Sequence, residues 1–386
     1  MAAMAADLDL RFPAIADLRA RARRRLPRFA FEYLDSGTGD EGGVRANAAG
    51  LDAVRLRPAI LRGALSPDLS ARAFGDHALP VGIAPVGFAG LIWPDAERAL
   101  ARAAARHRIP YGQSTVATVG PEATGALAGG RGWFQHYPVA DPAVRRDMLA
   151  RIAAAGWRVL VVTVDVPGES RRERQRRANI SMPPIVTPGM ALDMALHPAW
   201  TAGHARVGRG RKPRMAFAED YVTDRSGADA FVHAGKLIRG YPDDAYVRAL
   251  REEWDGPLVV KGVAEAADAV RLLDMGVDAV WVSNHSGRQF AGGPSGAEAL
   301  REVAAAVAGR APVFYCSGVR GGLDVLRAMA LGADFVFLGK AWYFALAALG
   351  ERGVDHLVHV LRADLEANMA QLGIERPQEA RTRLVA

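Results

Sequence analysis

The residues best suited to chemistry fall in short polar clusters, each following an apolar run. Ser283-Asn284-His285 is followed three residues later by Arg288. Lys261-Gly262 follows Pro257-Leu258-Val259-Val260, a place where a solvated surface cation is unexpected, and Lys261 is one of only four lysines in the chain. Thr163-Val164-Asp165 ends another run, with Arg171 and Arg172 close behind. A histidine with a carboxylate partner is a candidate general base. Two arginines, Arg172 and Arg288, with tyrosine hydroxyls such as that of Tyr137, make a fork suited to a carboxylate. Ser317-Gly318-Val319-Arg320 and Gly339-Lys340 are a different kind of cluster. Small residues there let backbone N–H groups approach a phosphate, and the cations complete the site. The blander reading is that a lone strand-end His is structural, that Tyr137 fills the rim and that Cys316 packs as a small hydrophobe.

The elements carrying these clusters are eight apolar runs: Leu79–Ala84, Ile109–Ser114, Gly132–Tyr137, Trp157–Asp165, Pro257–Gly262, Ala279–His285, Pro312–Gly318 and Phe335–Gly339. They are rich in Val, Ile and Phe, and several are apolar on both alternating faces, as buried parallel strands are. Helical segments separate them. Asp141-Pro142 supplies an N-cap and a proline at the first helical position. Ala264–Met275 lines up Ala266, Ala269, Val270 and Leu273 on one face before Gly276 ends it. Eight strand–helix repeats predict a closed (β/α)8 barrel, an α/β fold of the TIM-barrel kind, over about residues 79–373. The open doubly wound sheet is the alternative, but no Gly-x-Gly-x-x-Gly opens the first unit. Every run ends in small or polar residues, and barrel enzymes place their chemistry at that end of the strands.

Two regions lie outside the alternation. Residues 1–78 precede the barrel as a helical extension with a helix around Ile15–Arg25, and about 167–246 form a long insertion between strands four and five. A connection of that length is a functional lid or a disordered segment. Its basic tract Arg206–Arg214 suits an anionic lipid surface or simply a solvated loop. Residues 374–386 read as a C-terminal tail.

Composition narrows the classes. The 386 residues carry a net charge of +7, but all except four of the 49 Lys+Arg are Arg, interspersed with 42 acidic residues. That pattern argues for compositional bias rather than a nucleic-acid face. A single Cys excludes a disulfide framework and a Cys-rich metal site, and His356 and His359 lack partner ligands, so no metal is expected. Met1 to Phe12 carries Asp7 and Asp9 rather than the pattern of a signal peptide, and no stretch reaches the ~18 apolar residues of a membrane span. The expectation is a cytoplasmic protein.

The rim residues resemble those of the FMN-dependent α-hydroxy-acid oxidase/dehydrogenase family, which includes glycolate oxidase, L-lactate dehydrogenase (cytochrome) and mandelate dehydrogenase. The resemblance runs from Leu26-Pro27 to about Gly373. It is most specific at Val282-Ser283-Asn284-His285-Ser286-Gly287-Arg288-Gln289 and Leu258-Val259-Val260-Lys261-Gly262-Val263. Thr163-Val164-Asp165, Phe134-Gln135-His136-Tyr137, Ile83-Ala84-Pro85 and Leu196-His197-Pro198-x-Trp200 support it. The resemblance implies FMN lined by Ala84, Pro85, Val86 and Ser114, with Gln135 and Thr163 bonding its ring. Lys261 and Ser283 would also face the flavin, and Ser317, Gly318, Arg320, Gly339 and Lys340 would hold its phosphate. His285 would be the base, oriented by Asp165. Tyr33, Tyr137, Arg172 and Arg288 would bind the substrate carboxylate and hydroxyl.

The implied reaction oxidises an L-2-hydroxy acid to the 2-oxo acid, with oxygen, a quinone or a cytochrome as electron acceptor. His285 would take a proton from Cα or from the hydroxyl. The family further implies a homotetramer. The alternatives are another phosphate-binding flavin barrel enzyme, or a catalytically impaired homologue that holds flavin or an anion. Four departures stand out. Cys316 replaces the usual Asp after strand seven, Lys340 an Arg after strand eight, Val116 the Trp of glycolate oxidase, and Phe290-Ala291 a Leu-Asp pair. Val116 and Gly87 leave room for a substrate substituent larger than hydrogen.

Overall fold

The computed structural model describes residues 2–180, 186–208, 214–222 and 230–385. Its centre is a closed, all-parallel barrel of β1 Val81–Ile83, β2 Tyr111–Ser114, β3 Gly132–His136, β4 Val159–Thr163, β5 Leu258–Val263, β6 Ala279–Val282, β7 Val313–Tyr315 and β8 Phe335–Leu338. Each falls on one of the eight apolar runs, β5 reaching one residue past its run to Val263, and β8 pairs with both β1 and β7 to close the ring. Alternation along the strands sorts their side chains. Leu160, Val162, Leu258, Val260, Val280 and Val282 face the helical shell. Trp133, Val159, Val161, Val259, Trp281, Phe314 and Phe337 fill the interior.

The interior packing is aromatic. Trp281 and Phe337 have ring centroids 4.0 Å apart, and Trp133 lies 5.0 Å from Phe337 and 5.2 Å from Phe314. A short antiparallel hairpin, Ala71–Arg72 with Asp76–His77, caps this end by setting Phe74 against Trp133 and Phe314. The barrel is a plugged core whose opposite rim stays polar.

The shell helices follow their sequence signals. Asp141 accepts hydrogen bonds from the Ala143 and Val144 amides and starts Pro142–Ala154. Ser295 and Glu298 form a reciprocal capping box at Gly296–Val307. The N-terminal extension comprises α1 Ala2–Arg11, α2 Ile15–Arg25, α3 Arg28–Asp35 and α4 Gly42–Ala53. It is pinned to the helix Lys340–Leu349: Arg21 Nε and Arg25 NH1 both donate to the Ala348 carbonyl, and Phe31 packs on Phe344. This fixes α3, and with it Tyr33, over the rim.

Between β4 and β5 the described residues form short helices, Glu173–Arg177, Pro188–Ala195, Pro198–Gly208, Ala216–Glu219 and Ala230–Leu237, rather than a bare loop. Trp200 anchors this insertion by donating to the Leu91 and Ile92 carbonyls. Pro183-Pro184 and residues 209–213 of the basic tract lie outside the described residues. Among the described residues no helix is long and apolar enough to cross a membrane.

Candidate active site

The site sits on the rim where the strands end. β4 and β5 run in register, with Thr163 opposite Lys261. Just beyond, the pairing of β5 with β6 shifts between Lys261 and Val263. Gly262 makes that bulge workable. Its φ is +104°, and a Cβ there would lie 2.6 Å from Cβ and Cγ of Asp165. The absent side chain leaves room for Asp165, which meets His285 across β5: His285 Nδ1 is 3.1 and 3.2 Å from its two carboxylate oxygens.

This contact sets the electrostatics. Burial would push the Asp165 carboxyl up, but His285 and Lys261 hold it below the ordinary range, so it is ionised. Burial lowers the His285 pKa, with Asp165 opposing and Lys261 reinforcing the fall. A neutral imidazole whose Nδ1–H donates to a carboxylate leaves Nε2 as a free base. At 22% side-chain exposure, His285 is still reachable from the rim.

Four expected substrate groups surround this pair. The Tyr137 hydroxyl has Asp165, Arg172, Tyr33 and Arg288 as its electrostatic neighbours, and burial, then Asp165, raises its pKa. Arg288 is buried. Its NH2 donates to the Tyr33 carbonyl at 2.8 Å, and burial followed by repulsion from Arg172 lowers its pKa to about 10. Arg172 is aimed by neighbours that local sequence does not reveal: its Nε donates to Ser170 Oγ at 2.9 Å and its NH2 to Gln289 Oε1 at 2.7 Å. Tyr33 donates its hydroxyl to the Gly87 carbonyl at 3.0 Å. Two like-charged guanidiniums held close in a buried site have an unmet need for an anion.

The expected flavin groups form the adjoining wall. Ser114 Oγ donates to Gln135 Oε1 at 2.6 Å, which fixes the amide and directs Nε2 away; that nitrogen is buried with no hydrogen-bond partner among the described residues. Thr163 is buried. Lys261 is 5% exposed, and among the described residues its Nζ donates only to Ser283 Oγ, at 3.2 Å. Gly339 backs onto Ala84 and Val86. Pro85 belongs to the same turn. A buried ammonium whose hydrogen-bond partner is a neutral hydroxyl and an orphaned amide N–H suit an acceptor-rich polar ring. The cradle therefore fits a flavin, to which Gln135 and Lys261 could donate.

Cys316, at the position of the expected carboxylate, is buried and bonds Ser283 through its thiol at 3.3 Å. Ser283 thus ties Lys261, the His285 amide and Cys316 together.

The expected phosphate cluster is only partly assembled. Ser317 and Gly318 lie at the β7 end, where Ser317 Oγ accepts from the Asn284 and Ser286 amides. Lys340 Nζ donates to the Asp35 carbonyl at 2.6 Å, and burial followed by repulsion from Arg288 brings its pKa to about 7. The remaining ammonium protons leave it able to meet an anion. Arg320 differs from the expectation. Its Nε donates to Asp324 and its two terminal nitrogens to Asp52, at 2.9, 3.0 and 2.7 Å. Those two carboxylates balance its charge, so in this structure it braces α4 against the helix Gly322–Ala330 rather than offering an open edge to a phosphate. The spacing Arg320-x-x-x-Asp324 on a helix start was the available sequence signal for that pairing.

Among the described residues no cluster of His, Cys, Asp and Glu could hold a metal ion.

The model of one family, described as FMN-dependent dehydrogenase, matches residues 22–386. An L-lactate dehydrogenase of Caulobacter vibrioides is 38% identical over 362 residues, covering 93% of each chain. One of Pseudomonas aeruginosa is 37% identical over 364 residues, covering 93% of this chain and 94% of that one. Among solved structures, the monotopic membrane protein (S)-mandelate dehydrogenase superposes with a TM-score of 0.89 at 32% identity, covering 97% of this chain and 99% of that one. A mandelate oxidase gives 0.81 at 34% identity, covering 97% and 98%.

Proposed function

The chain belongs to the FMN-dependent dehydrogenase family, and from that premise we propose that it oxidises an L-2-hydroxy acid to the 2-oxo acid at the rim just described. Its relatives' names, L-lactate dehydrogenase and mandelate dehydrogenase, support the substrate class. The observation that carries the residue assignment is the His285–Asp165 pair set among Lys261, the buried Arg288 and the part-buried Arg172.

In this reading Arg172 and Arg288 bind the substrate carboxylate, and Tyr33 and Tyr137 place the hydroxyl. His285 Nε2 removes a proton as the substrate carbon is oxidised, and Asp165 stabilises the imidazolium that results. FMN supplies the two-electron acceptor. Lys261 places a fixed positive charge where negative charge builds on the flavin ring, a contribution that needs no reorganisation during the reaction. Gln135, Ser114 and Thr163 position the ring, Ala84, Pro85 and Val86 line it, and Ser317, Gly318, Gly339 and Lys340 hold the phosphate. With Arg320 tied to Asp52 and Asp324, its share in phosphate binding is through fixing that loop.

The substrate side chain lies beside Gly87 and Val116. Val116 Cγ2 packs over Gly87, where a Cβ would come within 2.4 Å of it. The room for a substituent larger than hydrogen rests on Val116 standing where glycolate oxidase has a Trp.

The acceptor that would reoxidise bound FMN is oxygen, a quinone or a cytochrome. A lipid-soluble quinone is favoured by the insertion, where Leu192 and Leu196 are 63% and 69% exposed on Pro188–Ala195 and beside it. Apolar side chains so exposed suit peripheral contact with a membrane surface, and the structural relative named as monotopic agrees in kind. The same proposal places the protein on the cytoplasmic side and as a homotetramer, in which the exposed Ile60 and Leu61 would find cover.

The test is a panel of 2-hydroxy acids added without oxygen to the FMN-loaded protein. L-acids with a substituent should bleach the flavin, D-acids should not, and peroxide release on readmitting air separates oxidase from dehydrogenase.

A further inference from the structure

We propose that Asn47 is a positioning residue: through Asn284 it holds the turn that carries His285 in its working conformation. The inference rests on His285 being the base.

The turn is one the local chain would not choose. His285 and Ser286 both have left-handed backbones, with φ of +54° and +57°. Two consecutive non-glycine residues in that region persist only where surrounding structure imposes them. Ser283 Oγ accepts from the His285 amide at 3.0 Å. Asn284 Oδ1 accepts from the Gly287 amide at 3.2 Å and so closes the turn.

Asn284 can close the turn only if its amide faces the right way; the Pro294 carbonyl accepts from its Nδ2 at 3.2 Å, and Asn47 engages both ends of the amide. The two side chains form a reciprocal pair: Asn47 Nδ2 donates to Asn284 Oδ1 at 2.9 Å, and Asn284 Nδ2 donates to Asn47 Oδ1 at 2.7 Å. Rotating either amide would face oxygen to oxygen and nitrogen to nitrogen, so the pair selects one orientation. Asn47 is 1% exposed on α4, and its Oδ1 also accepts from the Gly296 amide at 2.8 Å. The same cover grips the far end of the turn. Thr38 N donates to the Gly287 carbonyl at 3.1 Å. A Cβ on Gly287, where φ is +69°, would come within 2.6 Å of the Val44 amide nitrogen.

Asn47 could instead matter only for packing and for the Gly296 bond. Asn47→Asp separates the two roles. It keeps the shape and an oxygen for Gly296, but replaces the donor that faces Asn284 Oδ1 with an acceptor. Positioning predicts that the limiting rate of anaerobic flavin reduction in FMN-loaded Asn47→Asp falls on the order of 100-fold, as for a displacement of about 1 Å at a reacting group. The substrate KM should move less than about threefold, since Arg172 lies outside the turn and the Arg288 side chain is held separately by the Tyr33 carbonyl. Amide hydrogen exchange over residues 284–288 should accelerate, with exchange in β3 and β4 unchanged. Wild-type exchange in that segment together with a reduction rate within about twofold of wild type would overturn the proposal. His285→Ala, run alongside, tells the two failures apart. If it bleaches normally, the base assignment fails; if it is inert while Asn47→Asp is normal, only the brace fails. Asn47→Ala is the harsher companion, and its loss of folding would leave the Asp variant to decide.

Discussion

The two ends of the barrel are built from the same strands and do opposite things. On β6, Trp281 points into the interior and is fully buried among aromatic rings, while two residues further on Ser283 faces the rim and bonds a lysine. On β3, Trp133 packs the floor and Gln135, again two residues on, carries an unpartnered buried N–H. The floor has few polar groups, and the Trp281 indole N–H, which has no hydrogen-bond partner among the described residues, is enclosed by aromatic rings. The rim keeps like charges close together and donors without acceptors. A period of two thus delivers packing and chemistry along one strand. The difference teaches that close like charges at the rim suit an anion, and its free donors an acceptor-rich ring.

The comparison can be broken by exchanging its expected losses. His285→Ala should lower the rate of flavin reduction about 1,000-fold, within the range attributed to general bases, with FMN content and melting temperature near wild type by absorbance and thermal denaturation. Trp133→Ala on the floor should do the reverse. It should lose about 3–5 kcal/mol of stability, as large-to-small aromatic changes in cores do, while the rate per FMN-loaded folded molecule stays put. Lys261→Ala should slow flavin reduction about 100-fold, the size of one lost electrostatic donor, and should weaken binding of sulfite, an anion that adds to oxidised flavin. Val116→Trp should shift preference toward the smallest 2-hydroxy acid by about tenfold in kcat/KM, the scale of a hydrophobic pocket change.

The smallest effects are in pH. Burial puts the His285 pKa below its ordinary value of 6.5, so kcat/KM should rise with pH through a midpoint below 6.5. Lys340 titrates near 7 in the fold and at 10.5 when unfolded. Between those values the unfolded chain binds the extra proton, so the FMN-free protein should gain stability as pH rises from about 7 toward 10. Lys340→Met should flatten that slope in pH-dependent thermal denaturation.

The sequence made the rim legible because its signals are local. Val-Val-Lys-Gly puts a cation at the end of a buried strand, and Ser-Asn-His-x-x-Arg follows another, so position in the pattern already implies one shared rim. The capped helix starts at Asp141 and Ser295 are local too. What could not be read is pairing over long separations. The Asn47–Asn284 pair spans 237 residues, the Lys340–Asp35 contact 305 and the Arg320–Asp52 contact 268. Nothing in Arg320-Gly-Gly or in the Ala-rich α4 indicates that a carboxylate fifty residues from one terminus will balance that arginine. The insertion after β4 was legible as an irregularity of length, but its short helices carry no clear apolar period and depend on anchors such as Trp200 on the barrel's shell.

The most direct test is anaerobic mixing of the FMN-loaded protein with L-lactate and with (S)-mandelate, followed by flavin absorbance, for wild type and His285→Ala side by side. The account predicts that at least one acid bleaches the wild-type flavin and that the variant retains its FMN but stays yellow. Bleaching of the variant at the wild-type rate, or a wild-type flavin indifferent to every L-2-hydroxy acid tried, would contradict it.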